Sequence, residues 1–185
     1  LHKGAEVYIT DFKGGVDFPK VWHEKCRMCF TEENLRYTLD QLVAVLEYRK
    51  NAFKALGCPN IDAYNETTEQ PLPRLIFACD EVAEMLDKTG ADSERKKLLS
   101  QIESRLSTIA RQGRAFGIHL ILATQRPDAT IIPGQIRNNM DFRVCGRADS
   151  VLSQIILDNT SAAEQIPKDA RGRFITGDGT VFQGY

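Results

Sequence analysis

The 185-residue sequence contains no run of 18 apolar residues, so a membrane-spanning helix is not expected within it. We do not expect the first residues to be a signal peptide, because the short apolar segment near the start already contains Glu6. The sequence also lacks an initiator methionine, and Leu1 is followed almost at once by a predicted strand. We therefore expect the chain to be a piece of a longer protein. No internal repeat or low-complexity tract interrupts it, and its 42% hydrophobic content predicts a single domain over residues 1–185.

Cysteines are few, and their spacing does not suggest a framework of disulfides. There are five, an odd number, scattered through apolar stretches, which is typical of reduced thiols in a cytosolic compartment. Only Cys26 and Cys29 are close, and with His23 they form an H-x2-C-x2-C pattern. No second pair at metal spacing follows, so the pattern favours structural cysteines, with a zinc site as the alternative. Cys79 and Cys145 lie in predicted strands, where we expect inert core thiols.

The charge is nearly balanced but unevenly distributed. The formal net charge is −1, yet residues 94–147 carry ten basic and four acidic side chains, a local excess of six positive charges. Such asymmetry permits a phosphate-rich partner on one side of the molecule. Solvated helix faces with a few ion pairs explain the same charges equally well.

Apolar strands alternate with helical segments along the chain. Strands are predicted at residues 5–10, 75–79, 118–123 and 142–145, with a terminal hairpin at 173–176 and 180–183. Helices are predicted from a Thr31 cap to Leu56, at residues 82–86, from a Ser93 cap to Gly113, and at 150–157 behind Asp149. The polar stretch 60–73 is predicted to be a surface loop. This order predicts an α/β fold with a mostly parallel sheet covered by helices.

Two acidic residues follow the most apolar of these strands. In the segment RLIFACDE, five uncharged residues end abruptly in Asp80 and Glu81, so the pair is expected at the carboxyl edge of the sheet, where α/β folds keep their ligand sites. In P-loop enzymes that hydrolyse nucleotides, the first such acid holds Mg²⁺ and the second polarises the attacking water. The next strand ends in Thr124 and Gln125, which gives a second polar strand end. A purely structural strand end is the alternative.

Residues 74–86 (RLIFACDEVAEML) and 114–166, which include GIHLILATQRP, closely resemble the motor domain of FtsK/SpoIIIE-type DNA translocases. The likeness extends from the first strand to the terminal hairpin. It implies a RecA-like P-loop NTPase fold, truncated at its N-terminal side. It also implies a motor that assembles as a ring, usually of six subunits, around double-stranded DNA.

The resemblance assigns roles to individual residues. Asp80 and Glu81 correspond to the family's Walker B acids, with Asp80 as the Mg²⁺ ligand, and Gln125 corresponds to the sensor beside Thr124 at the nucleotide. ATP and Mg²⁺ are the implied cofactors. Arg114 corresponds to the arginine finger, and because it precedes the strand that ends at Gln125, we expect it to reach a neighbouring subunit's nucleotide. An arginine paired with a nearby acid is the structural alternative.

The sequence departs from the family at one essential motif. The phosphate loop G-x-x-x-x-G-K-[ST] does not occur, since Lys3-Gly4 and Lys13-Gly14 have neither the spacing nor the hydroxyl. Backbone amides and a lysine are what hold the β- and γ-phosphates. We therefore expect ATPase activity in the full-length protein and little or no ATP binding by this chain alone.

Double-stranded DNA is the favoured cargo, and a secreted protein is the alternative. The segment ATQRP favours DNA translocases, including those of conjugative elements, whereas Lys13-Gly14-Gly15 is shared with ATPases of type VII protein secretion. A non-catalytic assembly module is the third alternative. Weak candidates for contact with the DNA backbone are Lys88, Arg95, Lys96 and Lys97. The resemblance places the chain in the cytoplasmic domain of a membrane-associated bacterial protein.

Overall fold

The computed structural model describes residues 4–12, 16, 18–125 and 132–184. The chain forms two compact units, Leu1–Thr124 and Gln125–Tyr185. Whether the two units act as the single domain predicted above stays a prediction. The predicted turn at residues 13–15 and the residues that follow Gln125 up to position 131 lie outside the described part of the chain.

A four-stranded parallel sheet forms the centre of the first unit. Its strands are β1 (Glu6–Thr10), β2 (Arg27–Cys29), β3 (Leu75–Cys79) and β4 (Ile118–Leu122). They lie in the order β2-β1-β3-β4, and each neighbouring pair is parallel. The prediction of an α/β fold with a parallel sheet is confirmed.

Helices connect these strands. They are α1 (Lys20–Lys25), α2 (Glu32–Leu56), α3 (Ile61–Thr67), α4 (Val82–Leu86) and α5 (Ser93–Gln112), followed by a 3₁₀ turn at Arg114–Phe116. The bounds of α2 agree with the prediction, because the Thr31 hydroxyl accepts the backbone N–H of Asn34 and Gly57 ends the helix in the left-handed conformation. A cap at each end fixes the length of this helix.

The core of the first unit lies where α2 packs against α5. One side of α2 is apolar at helical spacing, and five of its side chains are at most 1% exposed: Leu35, Leu39, Leu42, Leu46 and Phe53. Side chains of α5 complete the core, namely Leu99, Ile102, Leu106 and Ile109. Each buried side chain of this size contributes roughly 1.5–3 kcal/mol, so this pair of helices is a main source of stability in the unit.

Three predictions for the first unit are wrong. The stretch 60–73 is not all loop, because α3 forms where the Asn60 side chain accepts the backbone N–H of Ala63 and Ile61 is buried. The cap of α5 is Asp92, which accepts the N–H of Arg95, and Ser93 is the first helical residue. The prediction also lacked α1 and β2, which are short elements with few or no buried residues.

The second unit carries a small antiparallel sheet. Its elements are α6 (Gly134–Arg137), β5 (Val144–Cys145), α7 (Ser150–Leu157), α8 (Ser161–Gln165), β6 (Arg173–Thr176) and β7 (Val181–Gln183). The strand order is β5-β6-β7, which confirms the terminal hairpin. Its core is made by Cys145, Leu157, Ala162, Ile166 and Ile175. The strand predicted at residues 142–145 is shorter than expected, since Phe142 lies outside the ladder and is 76% exposed.

In the described part of the chain, no helix is both long enough and apolar enough to cross a membrane.

Candidate functional site

Three parallel strands of the first unit end at the same edge of the sheet. The register pairs Thr10 of β1 with Cys79 of β3, and Cys79 with Leu122 of β4. Polar residues follow directly after β1 and β3, at Asp11 and Asp80, and the β3–β4 pairing continues one step further because the Ala123 N–H donates to the Cys79 carbonyl at 2.9 Å. The carboxyl edge therefore gathers acidic and hydroxyl side chains, as the sequence predicted for β3 and β4.

Glu81 adopts a backbone conformation that is unusual for a residue with a side chain. Its φ and ψ are 53° and 54°, in the left-handed region. Two hydrogen bonds fix the peptide group that follows Glu81: the Val82 N–H donates to the Ala123 carbonyl at 2.9 Å, and the Glu81 carbonyl accepts the Met85 N–H at 3.2 Å. For a non-glycine residue this conformation costs about 1–2 kcal/mol, and such strain clusters at functional sites.

The Glu81 carboxylate is held by a residue from the neighbouring strand end. The Thr124 hydroxyl donates to Glu81 Oε1 at 2.5 Å. The adjacent Asp80 uses one carboxylate oxygen, Oδ1, to accept the backbone N–H of Glu81 at 3.1 Å. Asp80 is exposed whereas Glu81 is half-buried. The arrangement thus offers one carboxylate to solvent and orients a second beside it.

The donor set at this edge suits a hard cation that keeps most of its own water. In the ranges that the structure describes, no three His, Cys, Asp or Glu side chains converge closely enough to hold a metal ion by themselves. Mg²⁺ is ordinarily bound by one or two protein carboxylates, with water and substrate phosphates filling the remaining positions. The exposed carboxylate of Asp80 fits that requirement.

Gln125 follows Thr124 directly in the chain and is exposed. It is also the first residue of the second unit. Its predicted role as the sensor of the nucleotide stays a prediction.

Arg114 lies at the opposite edge of the sheet from the two acids. It begins the 3₁₀ turn that leads into β4, and it is exposed. Since β3 and β4 are parallel and Leu75 pairs with Ile118, this turn lies at the amino ends of the strands. A strand of five residues spans ~17 Å, which is further than an arginine side chain can reach. The predicted separation of Arg114 from Glu81 is therefore present in the fold.

A histidine at this amino edge is influenced by two arginines. The half-buried His119 of β4 has a pKa lowered first by burial and then by the charges of Arg74 and Arg114. His119 is consequently held in its neutral form near pH 7. The Arg74 guanidinium is itself paired, since it lies 2.6 Å from a carboxylate oxygen of Asp62.

The four candidate DNA contacts differ in their surroundings. The Lys88 ammonium lies 2.7 Å from a carboxylate oxygen of Glu103. Arg95 donates two hydrogen bonds, of 3.0 and 2.9 Å, to the same carboxylate oxygen of Glu32. Lys96 and Lys97, the next residues of α5, are exposed. Two of the four cations are thus already paired within the first unit, and the adjacent lysines are the better placed for an external phosphate.

Sequence reasoning missed two residues that the fold makes prominent. Asp11 directly follows β1 and is only 4% exposed. The signal for it was available, because Thr10-Asp11 ends an apolar strand as Asp80 does. Arg49 is 2% exposed in the middle of the apolar side of α2. Its spacing from Leu46 and Phe53 places it on the apolar side of α2, but the sequence does not show what its guanidinium binds.

Comparison with known proteins identifies related sequences. The model of the FtsK/SpoIIIE family matches residues 8–129. DNA translocase FtsK of Halalkalibacterium halodurans is 34% identical over 139 residues, which is 69% of this chain and 16% of that protein. DNA translocase FtsK of Staphylococcus aureus strain Mu50 is 31% identical over 138 residues, with the same coverage. The chain therefore spans about a sixth of the length of these relatives.

Solved structures share the fold. The pCW3 conjugation coupling protein TcpA, in its monomer form with ATPγS, superposes with a TM-score of 0.93 at 38% identity and covers 99% of this chain and 52% of its own. EssC from Geobacillus thermodenitrificans (ATPases 2 and 3) has a TM-score of 0.69 at 19% identity, covering 97% of this chain and 33% of its own. The second likeness concerns the fold alone.

Proposed function

Because the chain belongs to the FtsK/SpoIIIE family, we propose that it forms part of the ATP-hydrolysing motor of a protein that moves double-stranded DNA. The observation that carries the hydrolytic part of this proposal is the carboxyl edge, where Thr124 orients the carboxylate of a strained Glu81 beside an exposed Asp80. The DNA part is supported by the relatives that are named DNA translocases and by the similarity to a conjugation coupling protein.

Glu81 has the properties of a group that orients water. Its carboxylate is half-buried, and its Oε1 accepts the Thr124 hydroxyl at 2.5 Å. A carboxylate held in this way can accept a hydrogen bond from a water molecule and direct it at a γ-phosphate. The hydrogen bond from the neighbouring strand end limits the rotamers that Glu81 can adopt. A water molecule bound to Glu81 would therefore approach the γ-phosphate from one direction.

Asp80 would hold Mg²⁺ through its exposed carboxylate. When bound, the ion would neutralise charge that develops on the β- and γ-phosphates during transfer. Asp80 also fixes the entry to α4, because its Oδ1 accepts the Glu81 N–H at 3.1 Å. Gln125, at the next strand end, would sense the γ-phosphate.

Arg114 would act on the nucleotide of a neighbouring subunit. Its turn lies at the amino edge of the sheet and its own acids at the carboxyl edge, so a role in its own site would require a reach that the fold does not allow. A guanidinium offers forked donors and a permanent charge for the spreading negative charge of phosphoryl transfer. This role implies a ring of subunits, and six is the number that we propose.

The phosphates of ATP would be held by residues that this sequence does not contain, because no phosphate loop occurs in its 185 residues. We therefore propose that hydrolysis belongs to the complete protein and that this chain alone binds ATP weakly. In the complete protein the chain would face the cytoplasm, with a membrane anchor elsewhere.

Hydrolysis by the complete protein, measured with and without linear double-stranded DNA, tests the proposal. We expect DNA to stimulate turnover several-fold and expect no such effect from a secretion-signal peptide. Stimulation by the peptide alone would favour a type VII secretion ATPase, to which the likeness is one of fold. A complete protein that assembles but binds no nucleotide would be an assembly module, and the motor proposal would be rejected.

A further inference from the structure

Arg49 is a charged residue in the most apolar part of the first unit. It lies on α2 between the buried residues Leu46 and Phe53, and only 2% of its surface is exposed. In the described part of the chain, no carboxylate lies within ion-pair distance of its guanidinium. Burial lowers the pKa of Arg49, while the more distant Glu6 and Tyr8 oppose that effect. Burial of a charge without a contacting partner of opposite sign lowers the free energy of unfolding. We therefore expect such a side chain to have a role that offsets this cost.

The guanidinium binds two backbone carbonyls that are far apart in sequence. Its Nη1 donates to the Phe116 carbonyl at 2.7 Å, and its Nη2 donates to the Pro73 carbonyl at 2.7 Å. Phe116 is the last residue of the 3₁₀ turn that Arg114 begins, and Pro73 lies two residues before β3. Arg49 therefore connects the turn that bears Arg114 to the entry of the strand that ends in the two acids.

The remainder of this turn is closely packed. A Cβ added at Gly113 would lie 2.6 Å from the Ile118 carbonyl oxygen, and one at Gly117, where φ is 71°, would lie 2.3 Å from Ile61 Cδ1. The Phe116 ring packs on Phe53, with 5.3 Å between the ring centroids. The backbone of the turn, with its two glycines, thus packs closely against the protein interior, while Arg114 is exposed to solvent.

We propose that Arg49 is a positioning residue for Arg114, which it serves by fixing the 3₁₀ turn to the entry of β3 through the Phe116 and Pro73 carbonyls. This inference rests on the proposed action of Arg114 on a neighbouring subunit. Its physical basis is preorganisation, since an arginine that meets a γ-phosphate across an interface contributes most when its backbone is already in place. A forked guanidinium suits the task because it reaches two acceptors at once, whereas an ammonium reaches them poorly.

Mixed rings of the complete protein test this inference. Arg49→Met keeps the length of the side chain and removes both hydrogen bonds. We expect it to bind ATPγS normally but to hydrolyse ATP about 10- to 100-fold more slowly, with the loss in kcat and not in KM. Mixing it with Glu81→Gln subunits, which keep an intact Arg114, should restore part of the hydrolysis. Arg105→Met is the matched control, because Arg105 pairs with Asp40 of α2 and does not contact the turn; its hydrolysis should stay near that of the parent.

Each result of mixing has a distinct meaning. If Arg49→Met is folded by circular dichroism and hydrolyses ATP at the parental rate, the inference is overturned. It is also overturned if mixing fails to rescue Arg49→Met while it does rescue Arg114→Ala, since the defect then lies in the subunit's own site. If neither variant is rescued although rings form, the proposed role of Arg114 is rejected. The inference about Arg49, which rests on that role, is then rejected with it. If Arg49→Met does not fold, Arg49→Lys is used instead. A partial loss of hydrolysis that mixing with Glu81→Gln subunits restores would support the positioning role, and hydrolysis at the parental rate would reject that role.

Discussion

The hydroxyl of Thr124 donates to the carboxylate of Glu81, although 43 residues separate the two in the sequence. The contact exists because β3 and β4 are parallel neighbours in register, so that both strands end at the same level. It joins a strained residue at one strand end to a polar residue at the next. A carboxylate that is restrained by its backbone and by its side chain has little freedom to turn away from a substrate.

Removal of the Thr124 hydroxyl should therefore slow hydrolysis without weakening nucleotide binding. In the complete protein, Thr124→Val keeps the shape of the side chain but leaves Glu81 Oε1 without this donor. Hydrogen bonds to charged groups contribute roughly 1.5–3 kcal/mol, so we expect kcat to fall about 10- to 100-fold. Thr108→Val is the control, because the Thr108 hydroxyl donates to the Ser104 carbonyl within α5. Equal turnover by the two variants would exclude the orienting role of Thr124.

The left-handed conformation of Glu81 should lower the free energy of unfolding, although the residue is needed for the proposed hydrolysis. Glu81→Gly should relieve the left-handed strain and raise the free energy of unfolding by about 1 kcal/mol, while abolishing hydrolysis. Urea unfolding of the 185-residue chain measures the effect. Glu84→Gly, three residues further in α4, should instead lower stability by about 1 kcal/mol, since glycine is a poor helix former. Destabilisation by both variants would show that the strain at Glu81 is not relieved by glycine.

The buried thiol of Cys79 predicts a dependence of stability on alkaline pH. Burial raises its pKa to about 12, from the 9.0 that is usual for a cysteine thiol. Between these values the unfolded chain releases a proton that the folded chain retains. Stability is therefore fully present below pH 9 and falls as the pH rises toward 12, by up to about 1.4 kcal/mol per pH unit for this one group.

Comparison with Cys79→Ala isolates that effect. The free energy of unfolding of the parent chain should fall more steeply between pH 9 and 11 than that of the variant. Cys58→Ala, which alters a half-exposed thiol, is the control and should keep the parental slope. Parallel curves for the parent and Cys79→Ala would mean that the Cys79 thiol ionises as readily in the folded chain as in the unfolded one.

Contact with DNA should involve Lys96 and Lys97 more than Lys88 and Arg95. In the complete protein, the slope of log affinity against log salt concentration should fall by about one unit for each neutralised phosphate contact. We expect a decrease of about two units for the Lys96→Ala, Lys97→Ala double variant. Lys88→Ala and Arg95→Ala should each change the slope by less, because these cations pair with Glu103 and Glu32. An unchanged slope in the double variant would assign the two lysines to the solvated surface of α5.

Features set by local sequence could be predicted. The ends of α2 follow from a threonine cap and a terminal glycine, and β3 follows from five uncharged residues before two acids. Because β3 and β4 are parallel neighbours, Glu81 then lies near Thr124, as expected. The helix α3 was missed because its single buried apolar residue at the first position, Ile61, gives too weak a periodic signal.

The remaining features depend on contacts between distant segments. The left-handed backbone of Glu81 arises where the Val82 N–H bonds a carbonyl beyond β4, and glutamate is not a residue from which such a φ is expected. Arg49 lies at a helical position where a leucine would fit the pattern, so only the carbonyls of Phe116 and Pro73 reveal its function. Neither relationship is encoded within a short window of sequence.

The central claim is that Glu81 orients the water that attacks ATP, and the turnover of Glu81→Gln in the complete protein tests it most directly. The control is Glu84→Gln, which alters an exposed glutamate of α4, the short helix that follows Glu81. We predict that both variants bind ATPγS as the parent does. We also predict that Glu84→Gln hydrolyses ATP normally, whereas Glu81→Gln loses turnover by about 100-fold or more, as expected when a general base is removed. Near-parental hydrolysis by Glu81→Gln, with DNA present and rings assembled, would contradict the account.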